Sequence, residues 1–233
     1  MNPFLRRIPK LCLWLSAILI AGAAPAAYAQ SPHSPGDMQF LFAFGALTGP
    51  EGKHKAIPVQ NDMTLRSGER LKLFIEPKNE IYVYLFHLSS EGDLTFLFPG
   101  GGQSALIKPG VQVFIPEGTR WFQLDTLTGQ EKFYFIVSAQ QLDRLENLYT
   151  RHVTLKDKPS LQASTDSILD EIKHLRLKHK NLSAPAEKPV RIGGSLRSPQ
   201  SKDSPVFPDI TPLATEISAP GGFYGRIFTI DHR

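Results

Sequence analysis

The sequence predicts a mainly β protein: an antiparallel β-sandwich, Ig-like or jelly-roll-like, with two appended α-helices and a C-terminal strand that returns to the sheet. Three observations predict it. Apolar side chains recur with period two between Met38 and Val137. Clusters of turn residues interrupt them about every ~10 residues. After Ser138 the period changes to that of a helix.

Phe40, Phe42 and Phe44 alternate with Gln39, Leu41 and Ala43, and Leu71, Leu73 and Ile75 alternate with Lys72, Phe74 and Glu76. The run from Ile81 to Phe86 is apolar on both faces, as expected of a central strand covered on each side. Leu94 to Phe98, Val111 to Ile115, Trp121 to Leu124 and Phe133 to Val137 continue the series. Between the runs sit Ser67-Gly68-Glu69, Pro77-Lys78-Asn79, Ser90 to Asp93, Pro99 to Gly102, Pro109-Gly110, Pro116 to Gly118 and Thr128 to Gln130. Such residues supply the fixed or positive φ values of chain reversals. A parallel sheet would need a helix between strands, and these connections are too short for one.

Leu142, Leu145 and Tyr149 fall on one side of a short helix. Leu161, Ile168, Ile172, Leu175 and Leu182 share a face of a longer one, with Asp170, Lys173 and Arg176 elsewhere. Pro185 and Pro189 place its end near Asn181. Packing on the sheet is the simplest use of that stripe, and a short coiled coil is the alternative. Six prolines between Pro185 and Pro212 read as a linker or surface crossing without a core. Gly221-Gly222 then precedes a last strand, with Tyr224, Phe228 and Ile230 on one face and Phe223 and Ile227 on the other. The expected plan is a signal peptide at 1–29, a sandwich core with its short helix at 38–150, the amphipathic helix at 151–182, a Pro-rich linker at 183–213 and the closing strand at 214–233.

The first residues have the form of a Sec-type export signal. Arg6, Arg7 and Lys10 precede an apolar run from Leu11 to Ala24, and Ala27-Tyr28-Ala29 supplies the small residues of a cleavage site before Gln30. The run is shorter than the ~20 residues needed to span a bilayer as a helix. Pro9 disfavours the twin-arginine route. Removing residues 1–29 also removes three positive charges from a formal +4 and the single cysteine, Cys12. The near-neutral remainder gives no electrostatic case for nucleic-acid binding. It must fold on its apolar core, without disulfides.

The order of the runs resembles an uncharacterised family, domain of unknown function 4384. The resemblance rests on Leu65 to Leu71, Ile81 to Phe86, Gly92-Asp93-Leu94 leading to Leu97-Phe98-Pro99, Ile115-Pro116, and Gly129 to Phe133 running into Val137-Ser138-Ala139. It covers about residues 60–150, and Arg226 to Ile230 resembles the family's closing strand. The resemblance implies a fold and an envelope setting, often as an accessory domain, and brings no catalytic residues. Residues 160–213 look like an insertion.

No chemistry is signalled clearly. Gly100 to Ser104 follows a strand, but a phosphate loop needs Gly-Lys-Ser/Thr and a helix after it, and here Ala105 to Pro109 is strand-like. The histidines (His33, His54, His87, His152, His174, His179 and His232) are scattered. His174 and His179 are five apart and diverge by about 140° on a helix, so they cannot share a metal as an i, i+4 pair would. His87 extends the central strand and reads as a structural residue. No Gly-x-Ser-x-Gly elbow exists, and any Ser–His–acid set would have to assemble from distant positions. Glu69, Asp93, Glu117 and Glu131 fall in expected turns, where solvation is the default. Tyr82, Tyr84 and Phe86 share a face, and Trp121 adjoins Arg120. These aromatics are explained by core packing or, less simply, by a ligand surface.

The expectation is therefore an exported, periplasmic or secreted, non-enzymatic binding or assembly module of the bacterial envelope. It has no catalytic residue, metal ligand or cofactor to name, and its ligand-binding residues are unknown. The partner would be another envelope protein meeting the 161–182 helix or the Pro-rich crossing. The alternatives are an envelope hydrolase acting on glycan or peptide through loop carboxylates, and a carbohydrate-binding module using Trp121 and the tyrosines.

Overall fold

A computed structural model describes residues 37–50, 53–180, 185–189 and 208–233. The export signal, most of the leader and most of the Pro-rich stretch lie outside the described residues. In chain order the strands are β1 (Met38–Thr48), β2 (Lys55–Pro58), β3 (Met63–Leu65), β4 (Arg70–Pro77), β5 (Ile81–Leu88), β6 (Leu94–Phe98), β7 (Leu106–Ile107), β8 (Val113–Ile115), β9 (Phe122–Gln123) and β10 (Gly129–Ser138). The helices α1 (Asp143–His152) and α2 (Lys158–Lys178) follow, then β11 (Ala186–Pro189), β12 (Thr215–Ala219) and β13 (Phe223–His232).

The strands form a two-sheet sandwich. One sheet runs β11-β12-β1-β4-β8, with β2 also on β1 and β9 also on β4; the other runs β3-β13-β10-β5-β6, with β7 also on β5. Period two decides what each face does. Phe40, Phe42 and Phe44 of β1 and Leu71, Leu73 and Ile75 of β4 meet Ile81, Val83, Leu85, Phe133, Phe135, Phe228 and Ile230 of the second sheet. Phe42 stacks on Phe135 at 4.4 Å, and Phe44 meets Phe228 edge-on at 5.0 Å. Such contacts add to plain area burial. The last strand does return to the sheet, paired along its whole length with β10.

The outer face of the second sheet is covered by the helices. Tyr84, Phe86 and Ile136 are buried with Leu145, Ile168, Ile172 and Leu175, so the α2 stripe is used against the sheet rather than in a coiled coil. Asp157 caps α2 by accepting the Ser160 amide at 3.0 Å, and Pro159 sits in the first turn. The start of α1 has no cap of its own kind: the Tyr84 hydroxyl, from the sheet beneath, accepts the Leu142 amide at 3.0 Å.

Three features differ from the sequence-based expectation. The segment 214–233 holds two strands, not one: β12 adds to the first sheet beside β1, and β13 adds to the second. The Pro-rich 183–213 stretch carries elements where none was expected, β11 pairing with β12 and a 3-10 turn at Thr211–Leu213. Pro189 is tolerated because β11 is the edge of its sheet. Finally, β3 joins β13 in parallel, within an otherwise antiparallel arrangement. Chain from Ile210 to Ala214 lies on the outer face of the first sheet with Ala43 and Phe74. It comes so close at Gly45 that a Cβ there would stand 2.7 Å from Ile210 Cγ2.

Candidate functional site

On the helical side, a groove of about 620 Å³ opens between β5, β6, α1 and the loop that joins β6 to β7. Tyr82 projects from the outer face of β5, and Phe96 of β6 meets Tyr149 of α1 with ring centroids 3.8 Å apart. Between them stands Glu146. The Tyr84 hydroxyl donates to its Oε1 at 2.7 Å, and Gln141 Nε2 donates to its Oε2 at 2.7 Å. Burial raises the pKa of the Tyr84 hydroxyl far above the ordinary range, so it remains a neutral donor. The groove thus presents aromatic faces around one carboxylate whose orientation is held from below.

The opposite lip is the Gly100 to Ser104 segment. Gly101 and Gly102 both have positive φ, +47° and +87°, and no β-carbon crowds them. Gln103 closes the loop, its amide donating to the Gly100 carbonyl at 2.8 Å while its side chain donates to Glu117 at 2.6 Å. The chain then enters β7. A strand and not a helix follows the loop, so its glycines serve a tight reversal and do not form the loop-to-helix junction of a phosphate cradle.

A second constellation lies at one end of the inter-sheet core. The inward columns of the second sheet run Val83, Leu85 and His87 on β5, Phe135, Phe133 and Glu131 on β10, and Phe228, Ile230 and His232 on β13. Their last members are polar and form a row with Ser67. Ser67 Oγ lies 3.1 Å from His232 Nε2, His232 Nδ1 is 3.8 Å from Glu131 Oε1, and Glu131 Oε2 is 2.6 Å from His87 Nε2. Glu131 is only 4% exposed and His232 2%. Placing Glu131 on a solvated turn was therefore wrong: it is the third residue of β10, on the inward face.

Hydroxyl, imidazole and carboxylate stand here in the order of a hydrolytic triad, but the rest of that machinery is different. The 3.8 Å step is too long for a hydrogen bond. An oxyanion hole needs free amides beside the nucleophile. The amides of Ser67, Gly68 and Glu69 donate to the carbonyls of Arg233, Leu124 and Arg66, and that of Arg66 donates to the Glu69 carboxylate. At this end of the apolar core the buried Glu131 carboxylate is paired with His87, as its burial requires, whereas His232 Nδ1 is buried without a hydrogen-bond partner among the described residues.

Lys72 is another buried charge, 5% exposed on the outer face of β4. Its ammonium donates to the Gly118 and Arg120 carbonyls at 2.5 and 2.7 Å, between the rings of Phe114 and Trp121. Burial, and secondarily the Arg120 charge, bring its pKa down to about 8. Trp121 is thereby engaged as a wall for Lys72 instead of standing as an open platform.

The remaining candidates are dispersed. His33 lies outside the described residues, His54 precedes β2, His152 is buried at the end of α1, His174 is exposed on α2, and His179 stacks on Phe223 at 4.6 Å. Glu69 closes its own turn, and Asp93 and Glu117 are exposed. Tyr84 and Phe86 are core residues under the helices, and Tyr82 alone of that strip reaches the groove. Among the described residues no group of three or more His, Cys, Asp or Glu is placed to hold a metal ion, and no helix is long and apolar enough to cross a membrane. Sequence reasoning missed Glu146 and Gln141, which read as ordinary polar helix positions, and the Ser67–His232 contact, which joins residues 165 apart.

No curated protein matches the chain, and no solved structure matches it. Residues 64–141, from β3 to the start of α1 and so including the groove's sheet wall and glycine lip, match the family model of the domain of unknown function DUF4384, the family that the sequence resembles.

Proposed function

We propose that the protein is an exported, non-enzymatic binding module of the bacterial cell envelope, and that it holds a segment of another envelope protein in the groove between α1 and the Gly100 to Ser104 loop. The observation that carries this reading is the groove itself. It is a concavity within the usual size range for ligand sites, with aromatic walls and a few oriented polar groups. Tyr82, Phe96 and Tyr149 offer faces to apolar side chains. Gln103, Gln141 and Glu146 offer the donors and acceptors that a peptide backbone needs. The contact surface moves from the α2 stripe, which the sheet occupies, to the side of α1. Export is supported by the basic start, apolar run and Ala27-Tyr28-Ala29 of the sequence.

In-cell photocrosslinking tests it. A photoreactive side chain at Val153, exposed at the groove's mouth, should give one discrete adduct with an extracytoplasmic protein. Tyr149→Ala should abolish that adduct, and the same probe at Lys158 should not produce it. Adducts with cytoplasmic proteins, or equal adducts from both positions, would overturn the proposal. Labelling of Ser67 by a fluorophosphonate would overturn its non-enzymatic half.

A further inference from the structure

A second hollow, of about 420 Å³, lies where the last turns of α2 approach the start of β13. Lys173 and Arg176 line it from the helix, His179 and Lys180 from the residues just after it, and Pro220, Phe223 and Gly225 stand among its other walls. Among the described residues, no carboxylate lines it. Two acids of the surrounding elements are engaged elsewhere: Glu171 accepts from Arg144 at 2.8 Å, and Glu187 pairs with Arg226 and accepts the Tyr224 hydroxyl at 3.1 Å. Lys173, Arg176 and Lys180 make no ion pair with any described residue.

Cations in a last helical turn also complement the helix dipole, and that role alone would let the side chains fan out into water. These do not all fan out. The absence of a β-carbon at Gly225 leaves room for the Arg176 stem, since a Cβ there would come within 3.1 Å of Arg176 Cγ. The His179 ring lies flat on Phe223, 14° from parallel, and its Nδ1 is buried without a partner among the described residues. Burial, and then the Lys178 charge, lower the His179 pKa, which leaves a neutral ring able to accept or donate a hydrogen bond.

Three unpaired cations around one concavity attract an anion carrying more than one charge, and a guanidinium among them offers the forked geometry that suits phosphate oxygens. We infer that this hollow binds the phosphate group of a phosphate ester, with Arg176, Lys173 and Lys180 on the oxygens and the Phe223–Pro220 wall against the esterified part. The site is separate from the groove and does not depend on the binding role proposed for it.

The test uses the purified protein and two probes, pyrophosphate and vesicles. Pyrophosphate should shift the amide resonances of Phe223 and Gly225 saturably, with an affinity that falls as salt is raised. The double variant Lys173→Gln/Arg176→Gln should weaken binding by about tenfold or more, equivalent to ~1.4 kcal/mol, and Lys158→Gln at the far end of α2 should leave it unchanged. Vesicles of phosphatidylglycerol and phosphatidylcholine, compared with phosphatidylcholine alone, locate the phosphate. Binding that needs the anionic lipid and is lost in the double variant assigns it to a headgroup; pyrophosphate binding without vesicle binding assigns it to a soluble ester. Absence of shifts at Phe223 and Gly225 with millimolar pyrophosphate, or shifts that persist in the double variant, would overturn the site.

Discussion

The two sheets of the sandwich treat their outer faces differently. That of the second sheet is covered by α1 and α2, which belong to the chain immediately after β10. Among the described residues, that of the first sheet is covered by the short return through Ile210 and Ala214 and by the aromatic box around Lys72. A helix is a rigid cylinder that cannot follow a twisted sheet along its whole length, so it leaves hollows where it diverges. Both concavities considered above, the groove at α1 and the basic hollow at the end of α2, are of this kind. A short irregular segment can instead lie close on a sheet, as the 3-10 turn that brings Ile210 against Gly45 shows, and it covers the surface it crosses. The two proposed sites both lie on the helical face.

Removal of residues 215–233 should have the largest effect, because it damages both sides of that contrast together. It takes an interior strand from each sheet, β12 and β13. Phe223, Tyr224, Phe228 and Ile230 are all buried, and at ~1.5–3 kcal/mol each they contribute up to about 6–12 kcal/mol. This is comparable to the ~5–15 kcal/mol that holds a whole domain together. The truncated chain should be insoluble or lack a cooperative urea transition; a soluble, cooperative product would refute the essential place of β13. Tyr84→Phe comes next and acts on the helical face alone. It leaves the Leu142 amide without its acceptor and Glu146 Oε1 without its donor, a loss of roughly 2–3 kcal/mol. Hydrogen exchange should quicken in α1 and not in β1 or β4. A uniform change across the molecule would mean that the hydroxyl does not act as the cap of α1.

How much of this was legible depends on element length and on where partners lie in the chain. The long strands announce themselves, since Phe40, Phe42 and Phe44 or Tyr82, Tyr84 and Phe86 have no other economical reading than two faces of a sheet. Short strands are legible only where apolar residues run together, as in β6, β8 and β9; Thr215–Ala219 offers only Ile217 and Ala219 to the core, and its pairing with β1 comes from a position more than 170 residues away in sequence. The covering of Tyr84 and Phe86 follows from their hydrophobicity together with the α2 stripe. The groove does not follow, because Glu146 becomes a site residue only through Tyr84, and that contact spans 62 positions. Glu131 was misread for a simpler reason. Thr128-Gly129-Gln130 is a turn signal, but the strand begins at Gly129 itself, so Glu131 already lies in the sheet, on its inward face.

The smallest effect is expected at the outer face of the first sheet, and its sign separates Lys72 from the buried tyrosines Tyr84 and Tyr224. With its pKa lowered to about 8, Lys72 is increasingly neutral in the folded chain above that pH, whereas in the unfolded chain it stays protonated up to its ordinary value of 10.5. The unfolded state then binds more protons, so stability climbs as pH rises from about 8 towards 10. Above pH 10 the tyrosines act in the opposite sense. Burial raises Tyr84, and raises Tyr224 to about 12, so the unfolded chain loses those protons first and stability falls. The two carbonyls that hold the ammonium favour its charged form and limit the gain, which should be on the order of 1 kcal/mol. Urea unfolding at a series of pH values should trace a shallow maximum near pH 10 in the native protein. In Lys72→Met the rise should vanish while the decline above pH 10 remains. A native profile that is flat between pH 8 and 10, or a variant that keeps the rise, would show that the aromatic box does not burden the charge it encloses.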